Sequence, residues 1–172
     1  WAINAYGTSA PSFASSAATP VPATRALVAG GEAPSSPVNT ISYDDITTSG
    51  NFSDFGDLTA ATTQAGAFSN STRGVSGGGQ SPSNTNVINF ITIATTGDAV
   101  DFGDIPLTTS GMASADNSII GIFQGGNTPS RTSLMQSINI ATTGDGSNYG
   151  DCNITSPLQG RAGCSDSHGG LS

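Results

Sequence analysis

The sequence predicts an all-β chain built from three 47-residue units of about four short strands each, and two observations carry that prediction. The first is self-similarity at a fixed period. Ile46-Thr47-Thr48-Ser49-Gly50 returns as Ile93-Ala94-Thr95-Thr96-Gly97 and again as Ile140-Ala141-Thr142-Thr143-Gly144, each time 47 residues further on. Asp54-Phe55-Gly56-Asp57 returns on the same period as Asp101-Phe102-Gly103-Asp104 and Asn148-Tyr149-Gly150-Asp151. A glycine cluster precedes each pair: Ala29-Gly30-Gly31, Gly77-Gly78-Gly79 and Gln124-Gly125-Gly126. The second observation is composition. Glu, Lys and Leu are scarce, while Thr, Ile, Val and the 23 Gly suit strands and turns. With 35% hydrophobic and only 9% charged residues, the chain reads as ordered rather than as a linker.

Within each unit the first strand runs into the glycines, as in Arg73-Gly74-Val75-Ser76 or Ile120-Gly121-Ile122-Phe123. The second, Val87-Ile88-Asn89-Phe90-Ile91-Thr92-Ile93, is apolar on both faces and should be covered on both. Thr-Gly-Asp supplies turn chemistry before a third strand around 101–105. A fourth, such as Gly66-Ala67-Phe68-Ser69, closes the unit before the next begins. Drawn this way, the units are 25–72, 73–119 and 120–168; residues 1–24 resemble the third and fourth strands of a partial unit, and 169–172 begin a further first strand. Ile46, Ile93 and Ile140 are expected at equivalent buried sites, as are Phe55, Phe102 and Tyr149.

A period of roughly 40–50 residues with four strands per unit is the signature of propeller blades, which stack face to face and so bury both sides of a middle strand. A β-solenoid fits less well, because its coils usually repeat at about half this length or less. Trp1 is not a start methionine, which suggests a processed product or a piece of something longer. The partial units leave ring closure open: the two ends share a fourth blade, or another chain or further sequence completes it. An unpaired first strand from 169 invites pairing with another chain, so the protein is expected to work within an assembly.

The charge excludes some partners. There is no Lys, and four Arg stand against twelve acidic residues, giving a net charge of −8. Such a surface repels phosphate backbones, so nucleic-acid binding is not expected; nor is membrane insertion, since no apolar run approaches the roughly 20 residues needed to span a bilayer.

Few motifs carry chemistry. Asp54 with Asp57, and Asp101 with Asp104, offer oxygen ligands for calcium, but Asn148 breaks the pattern in the third unit. Turn-capping by these carboxylates is the preferred reading. Cys152 occupies an apolar third-strand position and Cys164 aligns with Phe68 on the fourth. Third and fourth strands are taken as neighbours, so the sulfurs are expected to meet in a Cys152–Cys164 disulfide; the other reading is two thiols acting as small apolar residues. The single histidine, His168, has no second ligand or positioned base nearby and reads as a solvated turn residue. The glycine run 77–79 lacks the Lys and helix of a phosphate loop. Asn51, Asn70 and Asn153 each begin a glycosylation-type triplet, as chance provides in a chain so rich in Asn, Ser and Thr. No catalytic residue and no cofactor are expected.

The glycine pair after the first strand, with aromatics in the second and third, resembles the kelch repeat, although Phe55, Phe102 and Tyr149 stand where a kelch blade usually has Trp. The wording of residues 91–104, Ile-Thr-Ile-Ala-Thr-Thr-Gly-Asp-Ala-Val-Asp-Phe-Gly-Asp, and of 69–74, Ser-Asn-Ser-Thr-Arg-Gly, resembles the kelch-like tandem repeats of large virion structural proteins in marine bacteriophages of the cyanophage type. That resemblance implies a place on the virion surface, as tail fibre, head fibre or capsid decoration. The implied partners are other copies of the chain or other virion structural proteins. Loops that differ within a constant frame, 80–86 against 127–136, suit recognition of a host surface glycan. The alternatives are a propeller enzyme acting on polysaccharide, which needs convergent carboxylates, a His or a metal, and another extracellular filament or adhesin.

Overall fold

The computed structural model describes residues 24–153 and 162–165; the segment 1–23, His168 and the strand expected from 169 lie outside the described residues. The described chain is all-β with no helix. Its thirteen strands are β1 (Arg25–Ala29), β2 (Thr40–Asp45), β3 (Ser53–Asp57), β4 (Gly66–Ser69), β5 (Arg73–Gly77), β6 (Val87–Thr92), β7 (Val100–Asp104), β8 (Ala113–Asp116), β9 (Ile120–Gln124), β10 (Asn127–Thr128), β11 (Ser130–Arg131), β12 (Leu134–Asn139) and β13 (Ser147–Asp151). They form three antiparallel sheets, ordered β1-β2-β3, β4-β5-β6-β7 and β8-β9-β12-β13, with β10-β11 a small separate hairpin.

The sheets are out of phase with the units drawn from the sequence. Each four-stranded sheet takes the last strand of one unit and the first three of the next, so the hydrogen-bonded blocks run 66–104 and 113–151 rather than 73–119 and 120–168. The cause is local. Asn70 N–H donates to Arg73 C=O at 3.0 Å, and the Asn70 side-chain oxygen accepts from Thr72 and Arg73 N–H at 2.9 and 2.8 Å. Asn117 repeats this with Ile119 and Ile120 at 3.1 and 2.8 Å. These side-chain-capped turns fold β4 onto β5 and β8 onto β9 as tight hairpins, whereas the fourth strand is reached from the third only through a longer loop.

The repeat is accurate at the level of individual residues. A register shift interrupts the pairing between Ile41 and Ser42, between Ile88 and Asn89, and between Met135 and Gln136, one bulge at the same place in every sheet. The glycine pairs all take positive φ, with Gly78 at 62° and Gly79 at 103°. A Cβ at Gly78 would lie 2.5 Å from Thr109 C=O, so both conformation and space demand glycine there.

Adjacent sheets stack face to face. The second strand puts Ile88 and Phe90 on a back face, toward the following sheet, and Asn89, Ile91 and Ile93 on a front face, toward the preceding one. One apolar cluster joins Ile41, Phe55 and Leu58 of the first sheet to Ile91 and Ala99 of the second. Another joins Ile88, Phe102 and Ile105 of the second to Phe123, Ile138 and Ile140 of the third. Phe123 fills the second interface, its ring 4.8 Å from Phe68 and pressed on Gly66 and Gly77. At the first interface Ser76 holds the corresponding position, and a cavity of about 360 Å³ remains.

Burial of the expected core residues follows from this stacking. Phe55 and Phe102 are each 3% exposed, and Ile93 and Ile140 are buried as expected. Tyr149 is instead 54% exposed and Ile46 70% exposed. Equivalence of sequence position does not bring equivalent burial, because each side chain is covered by a neighbouring sheet. Tyr149 faces back from the last described sheet and Ile46 faces forward from the first. Phe102→Ala should therefore cost about 3–5 kcal/mol including its cavity, while Tyr149→Ala should stay within about 0.5 kcal/mol of the parent in separate, single chains; urea unfolding of the two variants at high dilution measures both.

Candidate functional site

The element that recurs with most polar detail is the junction between one unit and the next. The third strand lies at the end of its sheet, and such an edge leaves N–H and C=O groups open to pairing. Here the next unit's Thr-Gly-Asp loop satisfies them. Gly97 N–H donates to Phe55 C=O and Ala99 N–H to Asp57 C=O, both at 2.8 Å, while Asp57 N–H donates to the Asp98 carboxylate at 3.0 Å. Forty-seven residues on, Gly144 N–H meets Phe102 C=O at 2.7 Å, Gly146 N–H meets Asp104 C=O at 2.8 Å, and Asp104 N–H meets the Asp145 carboxylate at 3.0 Å.

The close approach requires glycine on the receiving strand. A Cβ at Gly56 or Gly103 would lie 2.5 or 2.6 Å from the backbone of Gly97 or Gly144, whereas at Gly150 the nearest atom is the Met135 methyl at 3.8 Å. The back edge of β13 thus carries the geometry of a receiving strand with no loop seated on it among the described residues.

Further ties flank this junction. Arg25 stacks over Tyr43 at 4.7 Å and donates to Ile93 C=O at 2.6 Å; Arg73 stacks over Phe90 at 4.7 Å and donates to Ile140 C=O at 3.1 Å. The buried Asn89 side chain accepts from the Thr59 hydroxyl, and the buried Gln136 side chain accepts from Leu107 N–H at 2.8 Å. At the opposite edge the Ser114 hydroxyl donates to Ala67 C=O at 2.6 Å and accepts from Ala67 N–H at 3.1 Å, locking β8 beside β4. Sequence reasoning missed these roles. The signal is present in the return of Asp98 at Asp145 on the 47-residue period and of Arg25 at Arg73 one residue off it, but nothing in the sequence marks it as more than turn chemistry and sparse charge.

The calcium candidates do not converge. Asp54, Asp57, Asp101 and Asp104 lie along β3 and β7, and no group of three or more His, Cys, Asp or Glu able to hold a metal occurs among the described residues. Asp57 and Asp104 engage the following unit through backbone N–H groups, so the loop carboxylates Asp98 and Asp145 are the ones occupied in capping.

The expected Cys152–Cys164 bridge is not formed, and both cysteines are free. The expectation placed third and fourth strands side by side. In the structure Cys152 follows β13, its N–H donating to Ser133 C=O at 2.8 Å. Cys164 instead lies beside β8, next to Ser165, whose hydroxyl accepts from Asp116 N–H at 3.3 Å. Those two strands are opposite edges of one sheet.

The front loop of the first unit has one perturbed group. The Thr47 hydroxyl and N–H donate to the Asp45 carboxylate at 2.7 and 3.0 Å and hold it below its ordinary value. A depressed carboxyl stabilises this turn above its unfolded pKa, and the contribution is lost as pH falls through the folded value.

The loops between first and second strands share one frame and differ in their tips. Each is closed by one backbone bond: Val38 N–H to Gly31 C=O at 3.0 Å, Thr85 N–H to Gly79 C=O at 2.9 Å, Thr132 N–H to Gly126 C=O at 2.9 Å. The tip of 80–86 is drawn in by Gln80, whose side chain donates to Pro82 C=O at 3.1 Å, while that of 127–131 is the β10-β11 hairpin. No protein-family model matches the sequence, and no curated protein matches it either.

Three outcomes are expected. Thiol titration of the unfolded, unreduced chain should find both cysteines reactive; a titre of zero would restore the bridge. Asp98→Ala should lower stability by about 1 kcal/mol through the lost cap, with Asp98→Asn retaining most of it. Thr47→Val should raise the Asp45 pKa, read by carboxyl NMR titration.

Proposed function

We propose that the chain is a structural surface protein of a virion, as tail fibre, head fibre or capsid decoration, presenting its variable loops to host surface glycans. The observation that carries this reading is the constant frame with changing tips: three loops closed by the same backbone bond, each with its own sequence and shape. Rigid scaffolds that vary only at such tips are suited to recognition. The virion assignment rests on the resemblance of residues 69–74 and 91–104 to phage tandem repeats. The net charge of −8 suits a protein kept soluble where salt screens self-repulsion.

The same reading takes the sheets as propeller blades. Its support is the edge where Ser114 ties β8 to β4 and Ser165 lies along β8, since inner strands gathered about an axis would meet in this way. Further blades, from this chain or from a partner, complete the ring.

The test has two arms. Purified particles from the source should contain the chain in stoichiometric copies, and replacing the exposed tip residues Ser81 and Ser83 with alanine should reduce binding to host-surface glycans while leaving the unfolding transition unchanged. Turnover of a host polysaccharide by the purified chain, or its absence from particles, would contradict the proposal.

A further inference from the structure

The two internal junctions show what covers a back face in this molecule: the front loop of another unit. We propose that the back edge of β13 receives the front loop 50–52 of a second copy, so that copies join head to tail through a third junction of the internal design. The inference deepens the structural reading above, and it rests on the internal junctions.

The atoms correspond one for one. Tyr149 and Asp151 stand 47 residues after Phe102 and Asp104, and their outward backbone groups are the receiving set. Gly50 and Phe52 stand 47 residues before Gly97 and Ala99, and their N–H groups are the donating set. Asn51 stands at the position of Asp98, and its side-chain carbonyl can accept from Asp151 N–H as the Asp98 carboxylate does from Asp57. Gly50 lacks the positive φ of Gly97 and Gly144, a region glycine enters at no steric cost, so the loop takes its seated form on contact.

Both surfaces expose what the internal junctions bury. Tyr149 is 54% exposed where Phe55 and Phe102 are covered, and Phe52 is 50% exposed where Ala99 is buried. Val28 and Ile46 are exposed on the same front face. Exposed apolar residues gathered on complementary faces mark a contact surface.

Charge supports a second copy as occupant. Each internal junction pairs two aspartates, Asp57 with Asp98 and Asp104 with Asp145, and a further aspartate, Asp54 or Asp101, stands on the same receiving strand. The corresponding set across copies is Asn148, Asp151 and Asn51, with one carboxylate. Two chains each carrying −8 repel on approach. The two Asp-to-Asn differences remove like charge where separate chains would have to meet, and both amides keep the acceptor oxygen.

A front-to-back contact is heterologous, closing into a ring or running on as a filament according to the rotation per copy. It makes a distinctive prediction for the full-length chain in light scattering and sedimentation. The parent should exceed the 17.0 kDa of one chain, with mass fixed for a ring or rising with concentration for a filament. Phe52→Asp disables only the front face and Tyr149→Asp only the back. Each alone should be monomeric with an unchanged circular dichroism spectrum, and an equimolar mixture should form a dimer of one of each and nothing larger. A monomeric parent, as when the chain's own partial unit 1–24 takes loop 50–52, a variant that stays assembled, or a mixture that stays monomeric would overturn the proposal. A monomeric parent that is still particle-borne would overturn this junction alone and leave the structural role standing.

Discussion

The rest of this structure depends on the open edge of a strand. β3 and β7 each end a sheet with outward N–H and C=O groups that must find partners, and the Thr-Gly-Asp loop of the next unit supplies them. Unsatisfied backbone groups in a buried setting are costly, so a unit is completed only by its successor. The apolar stack follows the same dependency, because the clusters that bury Phe55 and Phe102 are completed by residues of the following sheet, Ile91 and Ala99 for the first and Ile138 and Ile140 for the second. This is the thermodynamics of repeat proteins, in which interfaces between neighbours contribute much of the stability.

That dependency explains which parts of the fold were legible in the sequence. The 47-residue period, the absence of helix among the described residues and the doubly apolar second strand of the middle unit could all be read directly, since the period is printed in the repeated motifs and the rest in local composition. The phase of the sheets was not legible from periodicity, because a period is the same wherever a unit is cut. It is set by Asn70 and Asn117, whose side chains cap the turns that fold β4 onto β5 and β8 onto β9. The disulfide expectation failed for the same reason, since it took the third and fourth strands to be neighbours. Ile46 and Tyr149 carry the pattern of core residues, yet their burial is a property of what lies against them.

The candidate surfaces divide similarly. The variable loops could be recognised by comparing units, but the shared backbone bond that closes each one needed coordinates. The junction residues Asp98, Asp145, Arg25 and Arg73 were visible as a recurring signal without an evident purpose. What the sequence could not supply is that an aspartate in a turn serves a strand in a different sheet. The Asn at 51 and at 148 then acquires meaning as a change of charge at a surface whose internal copies keep Asp.

The central claim is that each Thr-Gly-Asp loop is seated on the strand of the preceding unit through its backbone. Amide hydrogen exchange on monomeric Tyr149→Asp protein tests it most directly. The account predicts slow exchange at Gly97, Ala99, Gly144 and Gly146, whose N–H groups are bonded to β3 and β7, and fast exchange at Gly50 and Phe52 in the same molecule. Uniformly fast exchange at all six amides, as for ordinary exposed loops, would contradict it.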